Sequence, residues 1–478
     1  MKQFANKQKS ETVDLFDTVV KSGCCIGCGT CAAFDSNIRL QLDAFGRYVA
    51  TRQSESSPDN PTAARVCPFA DGIPNEDELA REVFGQAGAF DPHIGYHVAN
   101  YAGWVVESDF RTKGSSGGLV SWLLVELLNH GLVDYVVHVT PEPAPDAGKP
   151  LFRFAVSSTP EEVRTRSKSR YYPVEMFGVI QEILRRPGRY AVVGIPCFIK
   201  ALRLAGRESA VLKERLAFTV GIVCGHLKSS AFAESFAWQC GITPGELTVI
   251  DFRTKLPGRP AHSYAVTVEG QRGGSNITVT KPTSELYGSN WGHGFFKYKA
   301  CDFCDDVVGE TADISIGDAW LPEYVADTAG TNVVVVRSLG LNKLLADAVA
   351  AGRLHLDSIP AAKVVESQAG GFRHRREGLA YRLFLENQAG RWHPTKRVAS
   401  AEKHLTAKLR EIYKLRYELG QASHVAFAAA KAKNDFSYFV RAMEPLITRY
   451  DRHYRRPLIF RILGKIKRTF FSLFRTIS

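Results

Sequence analysis

Residues 101–139 read YAGWVVESDFRTKGSSGGLVSWLLVELLNHGLVDYVVHV, and this stretch decides the fold class. Tyr101 to Glu107 predicts a strand. A Gly/Ser loop follows, Lys113-Gly114-Ser115-Ser116-Gly117-Gly118. Leu119 to Asn129 is a strongly apolar helix ended near Gly131, and Val133 to Val139 predicts the next strand. Strand, loop, helix and strand in that order mark α/β architecture. The loop has two readings. A helix N-terminus with glycines and hydroxyls suits a pyrophosphate, with Lys113 adding charge. A helix cap with a flexible turn explains the same residues. The loop is not G-x-G-x-x-G, and the chain has no Walker loop, which speaks against Rossmann-type NAD binding and nucleotide hydrolysis.

Working outward, the 478 residues suggest about three structural units. Apolar residues at 45% and charged ones at 23% are ordinary globular values and exclude wholesale disorder. Residues 1–95 form an N-terminal module with little periodicity, and 96–340 a central α/β region. Within it, Ser263 to Val268 alternates as a strand. Residues 341–448 read as a helical extension, in which Glu402–Leu419 and Ala422–Met443 form two helices broken at Gly420. Residues 449–478 form a basic tail. The fold class is thus mixed α/β with a helical C-terminal extension.

No apolar run reaches the roughly 18–20 residues of a bilayer span, and Met1 to Phe16 contains no secretory apolar segment. The expected location is cytoplasmic, where disulfides poorly explain ten cysteines. Cys25-Ile26-Gly27-Cys28-Gly29-Thr30-Cys31 is a C-x-x-C-x-x-C run, a spacing that points three thiolates at one iron–sulfur cube. Gly27 and Gly29 let the backbone fold closely around it. Cys67-Pro68 supplies the fourth ligand in the manner of a ferredoxin run, although 36 residues separate it from Cys31. Zinc is the competing reading, but it prefers two separated C-x-x-C pairs. Cys24 does not fit the spacing, and Cys240 lies in a helical core pattern.

Cys301-Asp302-Phe303-Cys304 is a second C-x-x-C. Its expected partners are Cys197 and Cys224, each ending an apolar run that reads as a buried strand (Tyr190–Cys197 and Phe218–Cys224). Carboxyl ends of parallel strands are where α/β sheets place their sites. Spacing alone leaves a four-thiolate site and buried core thiols equally open. Asp302, Asp305, Asp306 and Glu310 read as solvated charges or as groups tuning such a site. His226 and His293 are candidate proton donors or structural histidines.

Seven segments together resemble the family of coenzyme F420 hydrogenase/dehydrogenase beta subunits. They are Cys25–Cys31, Lys113–Gly118, Lys168–Val174 (KSRYYPV), Gly194–Arg203 (GIPCFIKALR), Val223–Gly225, Asp251–Lys255 (DFRTK) and Cys301–Asp318. They occur in the family's order over roughly residues 20–340. The resemblance implies an iron–sulfur flavoprotein oxidoreductase with noncovalent FAD and two 4Fe-4S clusters. It implies cluster ligands at Cys197, Cys224, Cys301 and Cys304, and a ferredoxin-like module with Cys25, Cys28, Cys31 and Cys67. It also implies FAD contacts at Gly114, Ser115, Ser116, Gly117 and Gly118, with Ser169, Arg170 and Tyr171 near the flavin. Electrons would pass between a ferredoxin or similar donor, the clusters, FAD and a substrate. An electron-transfer subunit without its own substrate and a zinc-bound scaffold are the alternatives.

The formal charge is +12, and the tail from Arg449 carries nine Lys/Arg against one acid, eight of those twelve charges. The basic balance is therefore local, which argues against a nucleic-acid surface. Ile459, Ile462, Leu463, Ile466, Phe470, Leu473, Phe474 and Ile477 recur at helical steps, flanked by Arg461, Lys465, Arg468 and Arg475. That pattern fits an amphipathic helix on an anionic membrane face, with packing on protein as the competing reading.

Overall fold

The computed structural model describes residues 14–54, 60–86, 88–143 and 149–454. The apolar tail pattern of 459–477 lies outside them. An eight-stranded sheet organises the chain. Its strands run, edge to edge, Leu354–Ser358, Ala99–Val105, Asn332–Val336, Ile314–Asp318, Leu216–Ile222, Tyr190–Gly194, Tyr135–Pro141 and Phe152–Ser157. The Ile314, Leu216, Tyr190 and Tyr135 strands are mutually parallel, and the other four add antiparallel. The sheet extends beyond residue 340 through its Leu354–Ser358 edge.

Neighbouring residues of a strand face opposite sides, and the apolar runs exploit this. Val136 and Ala191 pack on one face with the helix Leu119–Asn129. Val137 and Val192 face the other side, into the core that holds the cysteine-bearing loops. The N-terminal part adds a hairpin (Ile38–Leu42 with Tyr48–Arg52) and short helices to that same core. A separate three-stranded meander spans Leu247–Thr254, Ala265–Arg272 and Ser275–Pro282. Its second turn is Gly273-Gly274, both at positive φ, as a two-residue hairpin demands.

Two element assignments differ from the sequence reading. The strand from Tyr190 stops at Gly194, because Pro196 begins the helix Pro196–Glu208 at the position where a missing N–H costs nothing. Cys197 therefore sits in a first helical turn. Gly420 does not break the C-terminal hairpin. It lies inside one helix, Ala407–Lys433, capped by Thr406 and ended by Asn434 at φ 48°. The second helix is Phe436–Arg452, capped by Asp435.

Gly420 is a glycine for packing reasons. A Cβ there would meet Lys297 Cε at 2.7 Å, and Lys297 is held in a buried ion pair with Asp302. Helix propensity alone favours alanine by about 1 kcal/mol. Overpacking outweighs it, so Gly420→Ala is expected to lower stability by about 1–3 kcal/mol in denaturant unfolding. A stabilised variant would contradict this packing.

Candidate functional site

The Cys25–Cys31 loop wraps so tightly that a Cβ on Gly27 would come 2.3 Å from Tyr48 O. The result is a cavity lined by Cys25, Cys28, Cys31 and Cys67, together with Ile26, Phe69 and Pro68. Cys24 does not line it. The N–H groups of Gly27 and Ala50 each donate to Cys25 Sγ at 3.4 Å. Burial pushes the Cys28 thiol up to about 11, and Cys31 is raised well above the ordinary range by burial and by the sulfurs of Cys28, Cys25 and Cys67.

A second cavity is lined by Cys197, Cys224, Cys301 and Cys304. Cys197 and Cys224 follow the carboxyl ends of two adjacent parallel strands. Cys301 belongs to the short helix Lys299–Phe303, and its Sγ accepts from Leu227 N–H at 3.3 Å. Ile26 and Phe69 line both cavities. Burial raises Cys197 well above the usual thiol range, with the sulfurs of Cys304, Cys224, Cys301 and of Cys28 from the first group adding to it. Among the described residues, no three His, Cys, Asp or Glu converge closely enough to hold a single metal ion.

Arg375 also lines the second cavity, a residue the sequence reading missed. It is buried, donates to the carbonyls of Asp306 and Gly225, and lines the cavity together with Cys197, Cys224, Cys301 and Cys304. No local signal marks it, since Arg373-His374-Arg375-Arg376 reads as a solvated basic face. Asp302, Asp305, Asp306 and Glu310 are buried rather than solvated.

The Gly/Ser loop precedes the helix Leu119–Asn129 as expected. Its glycines are closed in by the chain itself: a Cβ on Gly114, Gly117 or Gly118 would lie within 2.8 Å of backbone or of Asn332 Oδ1. Lys113 points outward and pairs with Asp109 at 2.6 Å. Ser116 Oγ donates to Thr331 O. Ser115 Oγ accepts from Ser169 N–H at 2.9 Å, which brings the 168–171 segment to the loop. Arg253 joins them, donating to the Tyr171 hydroxyl (3.2 Å), to Ser115 O (3.4 Å) and to Asp318. Ser115, Arg253, Lys255, Ser263 and Tyr264 line one small polar cavity. The Nε atoms of Arg253 and Arg170 are buried without a partner. Arg170 packs over Phe152, and burial pushes it down to about 10. Arg253 and Lys255 were legible only as part of the DFRTK segment. Their signal is two cations at the carboxyl end of the strand Leu247–Thr254.

Aromatic rings connect the two regions. Tyr171 meets Trp291 edge-on at 5.1 Å, and Trp291 stacks on His226 at 5.5 Å, two residues from Cys224. Beside them Lys228 is buried, donating to Phe295 O at 2.6 Å and lying 4.7 Å from the rings of Phe232 and Trp291. His293 instead meets Asp451 and Tyr450 of the last helix, away from the cysteines.

Burial, with Lys297 adding to it, pushes Lys228 down to about 7. In the unfolded chain it titrates near ~10.4. Between those values the folded form binds fewer protons than the unfolded form, so stability rises with pH across that window. Lys228→Met is expected to stabilise the fold by a few kcal/mol near pH ~6, and the gain to shrink as pH climbs from ~7 towards ~10. Denaturant unfolding across that range checks it, and a pH-independent difference would contradict it.

The chain is similar to known proteins over part of its length. Residues 100–181 match the family model for the N-terminal part of the coenzyme F420 hydrogenase/dehydrogenase beta subunit, and residues 188–362 match the model for its C terminus. Coenzyme F420 hydrogenase subunit beta of Methanosarcina barkeri is 24% identical over 283 residues, 57% of this chain and 86% of that protein. A subunit of the F(420)H(2) dehydrogenase of Methanosarcina mazei is 26% identical over 283 residues, 58% of this chain and 66% of that protein. A chain of the F420-reducing NiFe hydrogenase complex of Methanosarcina barkeri superposes with a TM-score of 0.47 at 19% identity, covering 66% of this chain and 100% of that one. Between them the two matched segments carry the Gly/Ser loop, the 168–171 segment and the second cysteine group in the expected order, and the chain belongs to the family of coenzyme F420 hydrogenase/dehydrogenase beta subunits, which are oxidoreductase components.

Proposed function

We propose that the chain is an iron–sulfur flavoprotein that carries electrons between a ferredoxin-type donor and FAD, which exchanges hydride with a substrate. One 4Fe-4S cluster is held by Cys25, Cys28, Cys31 and Cys67, and the other by Cys197, Cys224, Cys301 and Cys304. The observation that carries this reading is two thiol quartets, each lining one cavity, whose cavities share Ile26 and Phe69. Bound clusters supply one-electron transfer, and a flavin converts it to hydride chemistry.

The chain's own residues have defined work in this reading. N–H donors at Cys25 and Cys301 Sγ stabilise charge on sulfur. Arg375 offers a positive charge beside thiols that must ionise to bind metal. At the other end, Arg253, Lys255 and the Ser115 hydroxyl suit a diphosphate, and the unpartnered Nε of Arg253 and of Arg170 are donors awaiting an acceptor. Tyr171 and Trp291 lie between that cavity and Cys224. Lys113, exposed at the edge of the loop and paired with Asp109, would add positive charge there.

The two Methanosarcina relatives are named as subunits, which supports a chain working beside protein partners. The same naming favours a second reading, an electron-transfer subunit with no substrate of its own. Among the described residues no helix is long and apolar enough to cross a membrane. The sequence pattern of 459–477 supports contact with an anionic membrane face.

Anaerobically purified protein is expected to contain roughly eight iron and eight sulfide per chain, with extractable FAD. Cys25→Ser and Cys301→Ser are each expected to lose about half of that iron. Colourless, zinc-loaded protein would overturn the reading. Arg253→Gln is expected to release FAD while keeping its iron, and a variant that retains flavin would remove Arg253 from the site. Flavin-dependent turnover of coenzyme F420 by the isolated chain separates the first reading from the second. Truncation at Arg449 is expected to abolish binding to anionic vesicles, and unchanged binding would exclude the membrane role.

A further inference from the structure

One cation lines the second cysteine cavity and another packs on a ring shared by both cavities, and both come from outside the family-matched residues. The match ends at residue 362, and Arg375 and Lys396 follow it. Lys396 belongs to a segment after the helix Glu377–Gln388 that is tied down at both ends. Upstream, Trp392 Nε1 donates to Asp71 at 2.8 Å, and Thr395 N–H and hydroxyl donate to the same carboxylate. Asp71 is four residues beyond Cys67. Downstream, Arg397 pairs with Asp77 at 2.6 Å, with Glu310 at 2.7 Å and with Asp305 at 3.3 Å. Asp305 directly follows Cys304. The strap thus spans from the loop of one quartet to the loop of the other.

Between these anchors, Lys396 Nζ lies 4.7 Å from the ring centroid of Phe69, a residue lining both cavities. Its side chain is 4% exposed and pairs with Asp305 at 3.6 Å. Arg375 lines the second cavity. Among the described residues it has no carboxylate within ion-pair reach, and only carbonyls and the cavity sulfurs face it. A buried cation lacking a counter-ion is costly. Its natural balance is an anionic group at Cys197, Cys224, Cys301 and Cys304. Two cations of unequal compensation therefore stand near the thiol groups, Arg375 lining the second cavity and Lys396 over the Phe69 ring.

We propose that Arg375 and Lys396 are positioning residues that set the relative reduction potentials of the two thiol-bound groups, making the Cys197/Cys224/Cys301/Cys304 group the easier to reduce. This rests on the iron–sulfur reading above. A nearby positive charge stabilises the site that gains an electron. One electron leaves the first group, which is oxidised, and enters the second, which is reduced, with no bond made and no proton moved. The one-electron donor protein replenishes the first. Arg375 has the larger effect because it is uncompensated, and Lys396 the smaller because Asp305 offsets it.

The test uses the full chain, loaded with iron and sulfide under anaerobic conditions. Each cluster signal, assigned with Cys25→Ser and Cys301→Ser, is followed by electron paramagnetic resonance through a potentiometric titration. Arg375→Met is expected to keep its iron and to shift the reduced-to-oxidised ratio of the second group about tenfold towards oxidised, a fall of ~59 mV for a one-electron couple, with the first midpoint held. Lys396→Met is expected to shift it about threefold the same way by the weaker net charge. Arg375→Lys and Lys396→Arg are expected to restore the original midpoints. Iron-replete Met variants with unmoved midpoints would overturn the inference and leave the iron–sulfur reading standing. Loss of iron from both Met variants would also overturn it, since the cations would then be structural. An unaltered chain that binds no iron would overturn the underlying reading instead.

Discussion

Eight thiols line two adjoining cavities, four of them buried and four half-buried, and they impose the strongest constraint on this molecule because their surroundings make them costly to ionise. Burial drives Cys28 up to about 11 and Cys301 to about 12, so neither would carry charge unaided at neutral pH. Much of the surrounding structure can be understood as the means of holding such groups. N–H donors point at Cys25 and Cys301, and Arg375 closes on the second cavity. The parallel strands Tyr190–Gly194 and Leu216–Ile222 lead into that cavity, so the sheet brings Cys197 and Cys224 to the same place as the C-x-x-C loop.

The C-terminal extension is part of this arrangement. Its long helix passes Lys297 at a glycine, where a Cβ would press on the lysine side chain that pairs with Asp302, the residue after Cys301. The strap at 392–397 spans the loops of both quartets. These contacts give the residues beyond the family match a physical role that a solvated appendage would not have. The buried carboxylates Asp305 and Glu310 are held by Arg397, and Asp302 by Lys297, so charges that look unpaired in sequence are matched in space.

Some of this was legible in the sequence because the determinants are local. Three cysteines at two-residue gaps can face one point without help from distant chain. Pro68 after Cys67 marked the fourth member, and it does line the cavity with the other three. The apolar runs before Cys197 and Cys224 predicted their convergence, with Pro196 moving Cys197 one element further along. The helix at Leu119–Asn129 followed from composition alone. What stayed hidden depends on tertiary geometry. The direction of Arg375 is set by packing and not by its basic neighbours. The role of Gly420 is fixed by a lysine 123 positions away in sequence, whereas local propensity suggests a helix end. The pairing of Lys113 with Asp109 one turn earlier is a structural detail that the loop's composition does not show.

The proximity of the two quartets, with Ile26 and Phe69 bordering both, is the claim on which the electron path depends. Spin–spin interaction reports it directly. In the fully reduced, iron-loaded chain the two paramagnetic signals should split or broaden one another, and removing either group should sharpen what remains. Two fully developed signals that simply add, with no magnetic interaction between them, would contradict the account.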